Sequence, residues 1–105
     1  MRSEVLKGHL DLLLLAALSE QPRHGYAIVE RLRERSRGVF DLSEGTVYPA
    51  LYRLEGAKLL SSRWSVVGGR RRRVYSLTRT GRRALTEQRR DWTAFVGAVK
   101  TVTGA

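Results

Sequence analysis

The sequence predicts a mainly α fold with a small β-hairpin. Three observations carry that expectation. Apolar residues recur at helical spacing in three segments before residue 56. Two strand-like runs, Leu60–Val67 and Arg70–Leu77, flank Gly68-Gly69, a two-residue turn signal. Beyond Thr80 the apolar residues repeat every seven positions.

The first helix is expected from about Glu4 to Ser19. Leu6, Leu10, Leu13, Leu14, Ala17 and Leu18 form one face, while Val5, Leu12, Leu15 and Ala16 widen it. A helix apolar nearly all round needs cover on two sides, and a second subunit would supply one of them. Gln21-Pro22-Arg23 ends it. The second helix runs from about His24 to Arg35, with Tyr26 or Ala27, Ile28, Val29 and Leu32 inward, and Gly38 closes it. The third lies within Asp41–Glu55, where Val47, Leu51 and Leu54 share a face. Ser43 and Thr46 both fit as N-caps. A start near Ser43 leaves Pro49 past the first turn, where its ring meets a carbonyl; a start at Thr46 puts it in the first turn.

In the first strand Leu60, Trp64 and Val66 point one way, and Tyr75 and Leu77 of the second strand join that side. Thr78 or Thr80 caps the last helix, which reaches about Val102. Leu85, Trp92 and Val99 form one line of its seam, and Phe95 and Val102 the other, with Gln88 in one slot.

Charge adds a functional expectation. The 105 residues carry twenty Lys and Arg, seventeen of them Arg, against ten Asp and Glu, for a net +10. Residues 1–59 are nearly neutral at +1, and residues 60–105 hold the remaining +9. Such a localised excess points to a polyanion, most often nucleic acid. A hydrophobic share of 42% is too high for a disordered chain. There is no cysteine, hence no disulfide framework, thiolate zinc site or cysteine nucleophile, which suits a cytoplasmic protein. Neither the apolar run Leu12–Leu18 nor the opening residues read as a membrane span or a secretory signal.

Three helices followed by a basic hairpin is the order of a winged helix-turn-helix. The third helix would enter the major groove, its first residues towards base edges. Ser43, Thr46 and Tyr48 offer hydrogen-bonding groups there, and Gly45 permits close backbone approach. Arg53, further along, could reach the DNA backbone. The wing carries Arg70, Arg71, Arg72 and Arg73, whose side chains alternate between the hairpin's two faces. Those nearest the tip, Arg70 and Arg71, have the freest access, and arginine suits a narrow minor groove. Tyr26 fits both a phosphate contact and a core position. His24 reads as a helix cap or phosphate contact. Arg82, Arg83, Arg89 and Arg90 read as a solvated face.

At this point the chain resembles the PadR family of transcriptional regulators over nearly its full length. The residues that carry the resemblance are Leu6-Lys7-Gly8, His24-Gly25-Tyr26, the run Gly45-Thr46-Val47-Tyr48-Pro49-Ala50-Leu51-Tyr52-Arg53-Leu54-Glu55, and Gly69-Arg70-Arg71-Arg72 with Val74-Tyr75-Ser76-Leu77-Thr78 and Gly81. The resemblance implies a homodimeric repressor on an inverted-repeat DNA operator. It also implies the short subfamily, in which one C-terminal helix packs against the partner subunit. Residues 1–78 would then form the DNA-binding unit and 79–105 the dimerisation helix. Leu12, Leu15, Leu85, Trp92, Phe95, Val96 and Val99 would line the dimer interface. In ligand-sensing relatives a tryptophan matching Trp92 stacks on flat aromatic compounds, so Trp92, Phe95, Val96 and Leu12 are candidates for binding a small planar effector. Packing of Trp92 against the partner's first helix is the plainer reading. Asp91 fits either the selection of a cationic ligand or an ion pair along its own helix.

One departure stands out. Lys58 occupies a position that is glycine in the family pattern. Either it adopts a left-handed backbone, at a cost of about 1 kcal/mol, or the turn rearranges around Gly56. The sequence offers no carboxylate pair, Ser-His pairing, phosphate loop or metal-ligand spacing, so no enzyme, cofactor or metal is expected. A non-specific architectural DNA-binding protein would explain the charge equally well, but not the polar start of the third helix.

Overall fold

The computed structural model describes the backbone of residues 3–105 and the side chains of residues 5–105. Five helices and three strands follow in the order α1 (Ser3–Lys7), α2 (Leu10–Ala17), β1 (Arg23–His24), α3 (Gly25–Arg35), α4 (Glu44–Gly56), β2 (Leu60–Val67), β3 (Arg70–Leu77) and α5 (Arg79–Thr103). The result is mainly helical with a small antiparallel sheet, as the sequence predicts.

The expected first helix is divided. Gly8, the weakest ordinary helix former, and His9 form a turn, and α2 restarts with the His9 carbonyl accepting from the Leu13 N–H. The His9 ring leaves the helical path to meet Trp92 edge-on, with centroids 4.8 Å apart. Within α2, Leu10, Leu14, Leu15 and Ala17 are buried with Leu18 in the chain's own core. Leu15 therefore has no surface to offer a second subunit, contrary to the sequence expectation.

α3 begins at its cap. The His24 side chain accepts from the Ala27 N–H through Nδ1 at 3.4 Å. At the far end Arg37 and Gly38 both take positive φ, and the Gly38 N–H returns to the Arg33 carbonyl at 2.8 Å. Ile28, Val29 and Leu32 face inward, whereas Tyr26 is exposed. Ser43 is the cap of α4, accepting from the Thr46 N–H at 3.2 Å. Pro49 thus lies inside α4. It cannot donate to the Gly45 carbonyl, but Gly45 is exposed to water. Val47, Ala50, Leu51 and Leu54 complete the inner face.

The chain leaves α4 through Lys58 at φ 67°, so the lysine does take the left-handed conformation, and Gly56 stays helical. Gly68 and Gly69, at φ 59° and 78°, make the tight hairpin turn that sets the register Val67 to Arg70 and Trp64 to Arg73. The hairpin is one part of a three-stranded sheet of order β1-β3-β2, because Arg23 and His24 pair with Tyr75 and Val74. Two residues carry no periodicity, which is why the third strand is invisible in the sequence. Leu60, Tyr75 and Leu77 join the helical core, while Trp64 and Val66 at the distal end are exposed.

Thr78 caps α5, accepting from the Gly81 N–H at 3.0 Å, and its hydroxyl lies 2.7 Å from the Lys58 carbonyl. Leu85 is buried in the core, so it too is withdrawn from the expected dimer seam. From Trp92 onward α5 shows Phe95, Val99 and Val102 to solvent. None of the helices among the described residues is long and apolar enough to cross a membrane.

Candidate nucleic-acid interface

The start of α4 is polar and open. Ser43, Gly45 and Thr46 are exposed, and the Ser43 and Thr46 hydroxyls lie 3.0 Å apart. Ser43 thus both caps the helix and faces solvent beside its unpaired N–H groups. Tyr48 is half-buried because its ring lies over Gly25. A Cβ at position 25 would fall 2.5 Å from that ring, so a side chain there would push the Tyr48 ring away. Burial and Glu44 push the Tyr48 phenol above its ordinary value, which keeps it a protonated donor. Tyr26 resolves as a surface residue, its ring parallel to that of His24 at 6.4 Å. Tyr48 thereby sets α4 against the start of α3, beside His24.

The four wing arginines divide as alternation requires. Arg71 and Arg73 share a face with Trp64, their guanidinium carbons 5.0 and 5.7 Å from its ring centroid. Arg73 is engaged further. Its Nε donates to the Ser62 hydroxyl at 2.8 Å, Ser62 donates to Glu55 at 2.6 Å, and an Arg73–Glu55 ion pair of 3.7 Å closes the network. Arg73 thereby ties the wing to the end of α4 instead of standing free for DNA. Arg70 and Arg72 lie on the other face. Among the described residues no carboxylate pairs with Arg70, Arg71 or Arg72.

Arg53 also finds an internal partner. It makes a two-pronged ion pair with Asp11 of α2, one contact at 3.0 Å, which raises the Arg53 pKa. Its expected reach to the DNA backbone is redirected into a bond between helices. Nothing in a separation of 42 residues signals that pair. The place of Trp64 is legible in the sequence: the two-residue turn fixes Trp64 opposite Arg73.

A second feature lies where α5 crosses the α1–α2 turn. Trp92, 41% exposed, contacts His9 and stands 6.0 Å from Phe95. A cavity of about 400 Å³ there is lined by His9, Asp11, Leu12, Arg53, Asp91 and Trp92 among others. An apolar one of about 230 Å³, between Leu6, Leu12, Leu13, Phe40 and Trp92, adjoins it. Of the four ligand-binding candidates, Leu12 and Trp92 line both cavities, Phe95 lines the larger, and Val96 lines neither.

A three-helix unit with a basic hairpin wing is a winged helix-turn-helix. Comparison with known proteins agrees. Residues 14–87 match the profile of the Transcriptional regulator PadR-like family, and the chain belongs to that family. A transcriptional regulator of Mycobacterium tuberculosis is 42% identical over 87 residues, covering 83% of this chain and 78% of its own length. Among solved structures, a PadR family transcriptional regulator from Eggerthella lenta is 33% identical, with a TM-score of 0.83 over 95% of this chain and 86% of that one. Bacillus subtilis PadR, solved in complex with operator DNA, shares the fold at a TM-score of 0.68 and 22% identity, over 75% of this chain and 44% of that one.

Proposed function

We propose that the protein is a sequence-specific DNA-binding repressor that acts in the cytoplasm as a homodimer on an inverted-repeat operator. One observation carries the DNA contact: the open polar start of α4 lies in the same unit as a wing whose outer arginines lack acidic partners. Ser43, Gly45, Thr46 and Tyr48 meet the major groove. Tyr26 and the arginines Arg70, Arg71 and Arg72 meet the backbone and the adjoining groove. Residues 1–78 do the binding and residues 79–105 pair the subunits.

The dimer reading rests on the solvent-facing apolar line Trp92, Phe95, Val99 and Val102, which is unusual on an unpaired helix. A small planar aromatic ligand beside Trp92 would act by geometry. Two recognition helices must stand about 34–36 Å apart to match one turn of DNA. A ligand that prefers another spacing shifts the population away from the binding state.

The test is a footprint on the DNA flanking the protein's own gene, repeated with planar aromatic compounds that quench Trp92. A protected inverted repeat that opens with such a compound supports the whole reading. Uniform protection of all DNA points instead to an architectural protein.

A further inference from the structure

β1 pairs with only two residues of β3, leaving the edge of residues 70–73 uncovered. Between that edge and α4 lies a crevice of about 230 Å³. It is lined by His24, Tyr48, Tyr52, Arg71, Arg72 and Tyr75, together with Trp64 and the tethered Arg73. The volume is below the roughly 300 Å³ at which pockets for drug-sized ligands begin, so the fitting occupant is a small group.

The chemistry of the lining is one-sided. Guanidinium groups only donate hydrogen bonds, and no acidic side chain lines the crevice. Among the described residues the Tyr75 hydroxyl is the single buried side-chain polar atom without a hydrogen-bond partner, on a side chain of 0% exposure. A buried orphan hydroxyl is destabilising, and phenylalanine would fill the same space without that cost. Burial pushes the Tyr75 phenol above its ordinary value, so it is a donor at neutral pH. The crevice thus brings together an unpartnered buried donor and two guanidiniums without counter-ions, a lining that fits an anionic acceptor. Arginine forks match the oxygens of phosphate in geometry and charge.

We propose that this crevice seats one phosphate oxyanion, with Arg71 and Arg72 supplying the charge and the Tyr75 hydroxyl the buried donor. The oxyanion has two possible sources, a phosphate of the DNA backbone or free inorganic phosphate. The first rests on the DNA-binding reading above; the second does not.

Tyr75→Phe separates the seat from the fold, because it deletes only the orphan hydroxyl. The wild type and the variant are titrated with inorganic phosphate at constant ionic strength, followed by melting temperature, and separately with operator duplex. The variant is expected to melt no lower than the wild type and to bind the duplex about tenfold more weakly. If phosphate raises the wild-type melting temperature and competes with duplex, and Tyr75→Phe abolishes both effects, free phosphate is an occupant. If phosphate does neither and the tenfold loss of duplex affinity remains, the occupant is the DNA backbone. Should Tyr75→Phe fail to fold, Arg71→Gln with Arg72→Gln takes its place, with the same outcomes expected. Unchanged duplex affinity and an unchanged response to phosphate in the variant overturn the seat. If the wild type binds no duplex of any sequence, the DNA reading fails by itself and the phosphate titration alone decides.

Discussion

Lys58 shows how one residue records both a family pattern and a departure from it. Its φ of 67° is the conformation that glycine adopts without cost, and the fold is kept with lysine in place. Replacing Lys58 with glycine removes strain of about 1–2 kcal/mol but adds unfolded-state entropy of about 0.5–1. A net gain of about 0–1.5 kcal/mol follows from those two figures, seen as a denaturant midpoint no lower than that of the wild type at unchanged slope. A lower midpoint would mean that packing of the lysine stem outweighs the strain of its backbone. His24 gives a pH dependence. Burial first, then Arg72, holds its pKa below the ordinary 6.5. The unfolded chain therefore takes up the proton before the folded one. The stability that the neutral cap contributes is complete above about pH 6.5 and declines as pH falls through that value. His24→Asn keeps a capping acceptor that does not titrate. Its melting temperature should fall less than that of the wild type between pH 7 and pH 5; a parallel fall would place the titration elsewhere.

The elements differ in how far the sequence reveals them. α3, α4 and the hairpin follow from apolar spacing and the Gly68-Gly69 turn, and the Ser43 cap agrees with a Ser-led start. The division between α1 and α2 is hidden because Leu-rich spacing runs straight through Gly8, whose weak helix propensity marks the turn only once the contact of His9 with Trp92 is seen. The two arginines drawn inward, Arg53 to Asp11 and Arg73 to Glu55, are equally silent in sequence, since ion pairs between elements leave no periodic trace. For the candidate site this means that residue type is legible while engagement is not. Two glycines hold elements together by close approach. At Gly81 an added Cβ would lie 2.0 Å from the Leu59 carbonyl oxygen, so α5 can start against the α4–β2 turn only with glycine. Gly81→Ala should lower stability by roughly 1–3 kcal/mol, as overpacking does, and thermal melting checks it. On the wing, replacing Arg70, Arg71 and Arg72 by alanine together should make the dependence of log affinity on log salt shallower, by about 0.9 for each phosphate those arginines neutralise. An unchanged slope would show that the wing does not touch the DNA backbone.

At the scale of the whole molecule, the long axis of 51 Å against 28 and 21 Å reflects α5 projecting from the core. Its first turns are anchored by Gly81 and Leu85, and its later turns carry the uncovered apolar line. Burial within the chain already claims Leu15 and Leu85, which leaves Trp92, Phe95, Val99 and the partly buried Leu12 to the proposed interface. Trp92→Asp puts a charge into that line and should halve the mass measured by light scattering. An undiminished mass would place the subunit contact elsewhere.

In the proposed function, specificity resides in the nearly neutral half of the chain and affinity in the wing. The most direct measurement is the affinity of the Thr46→Ala protein for its footprinted operator and for a scrambled duplex, across a range of salt, beside the wild type. The expected result is a wild type that prefers the operator at every salt concentration, and a variant that loses that preference while keeping the wild-type salt slope. A wild type that binds both duplexes equally, or a Thr46→Ala variant with undiminished preference, would contradict it.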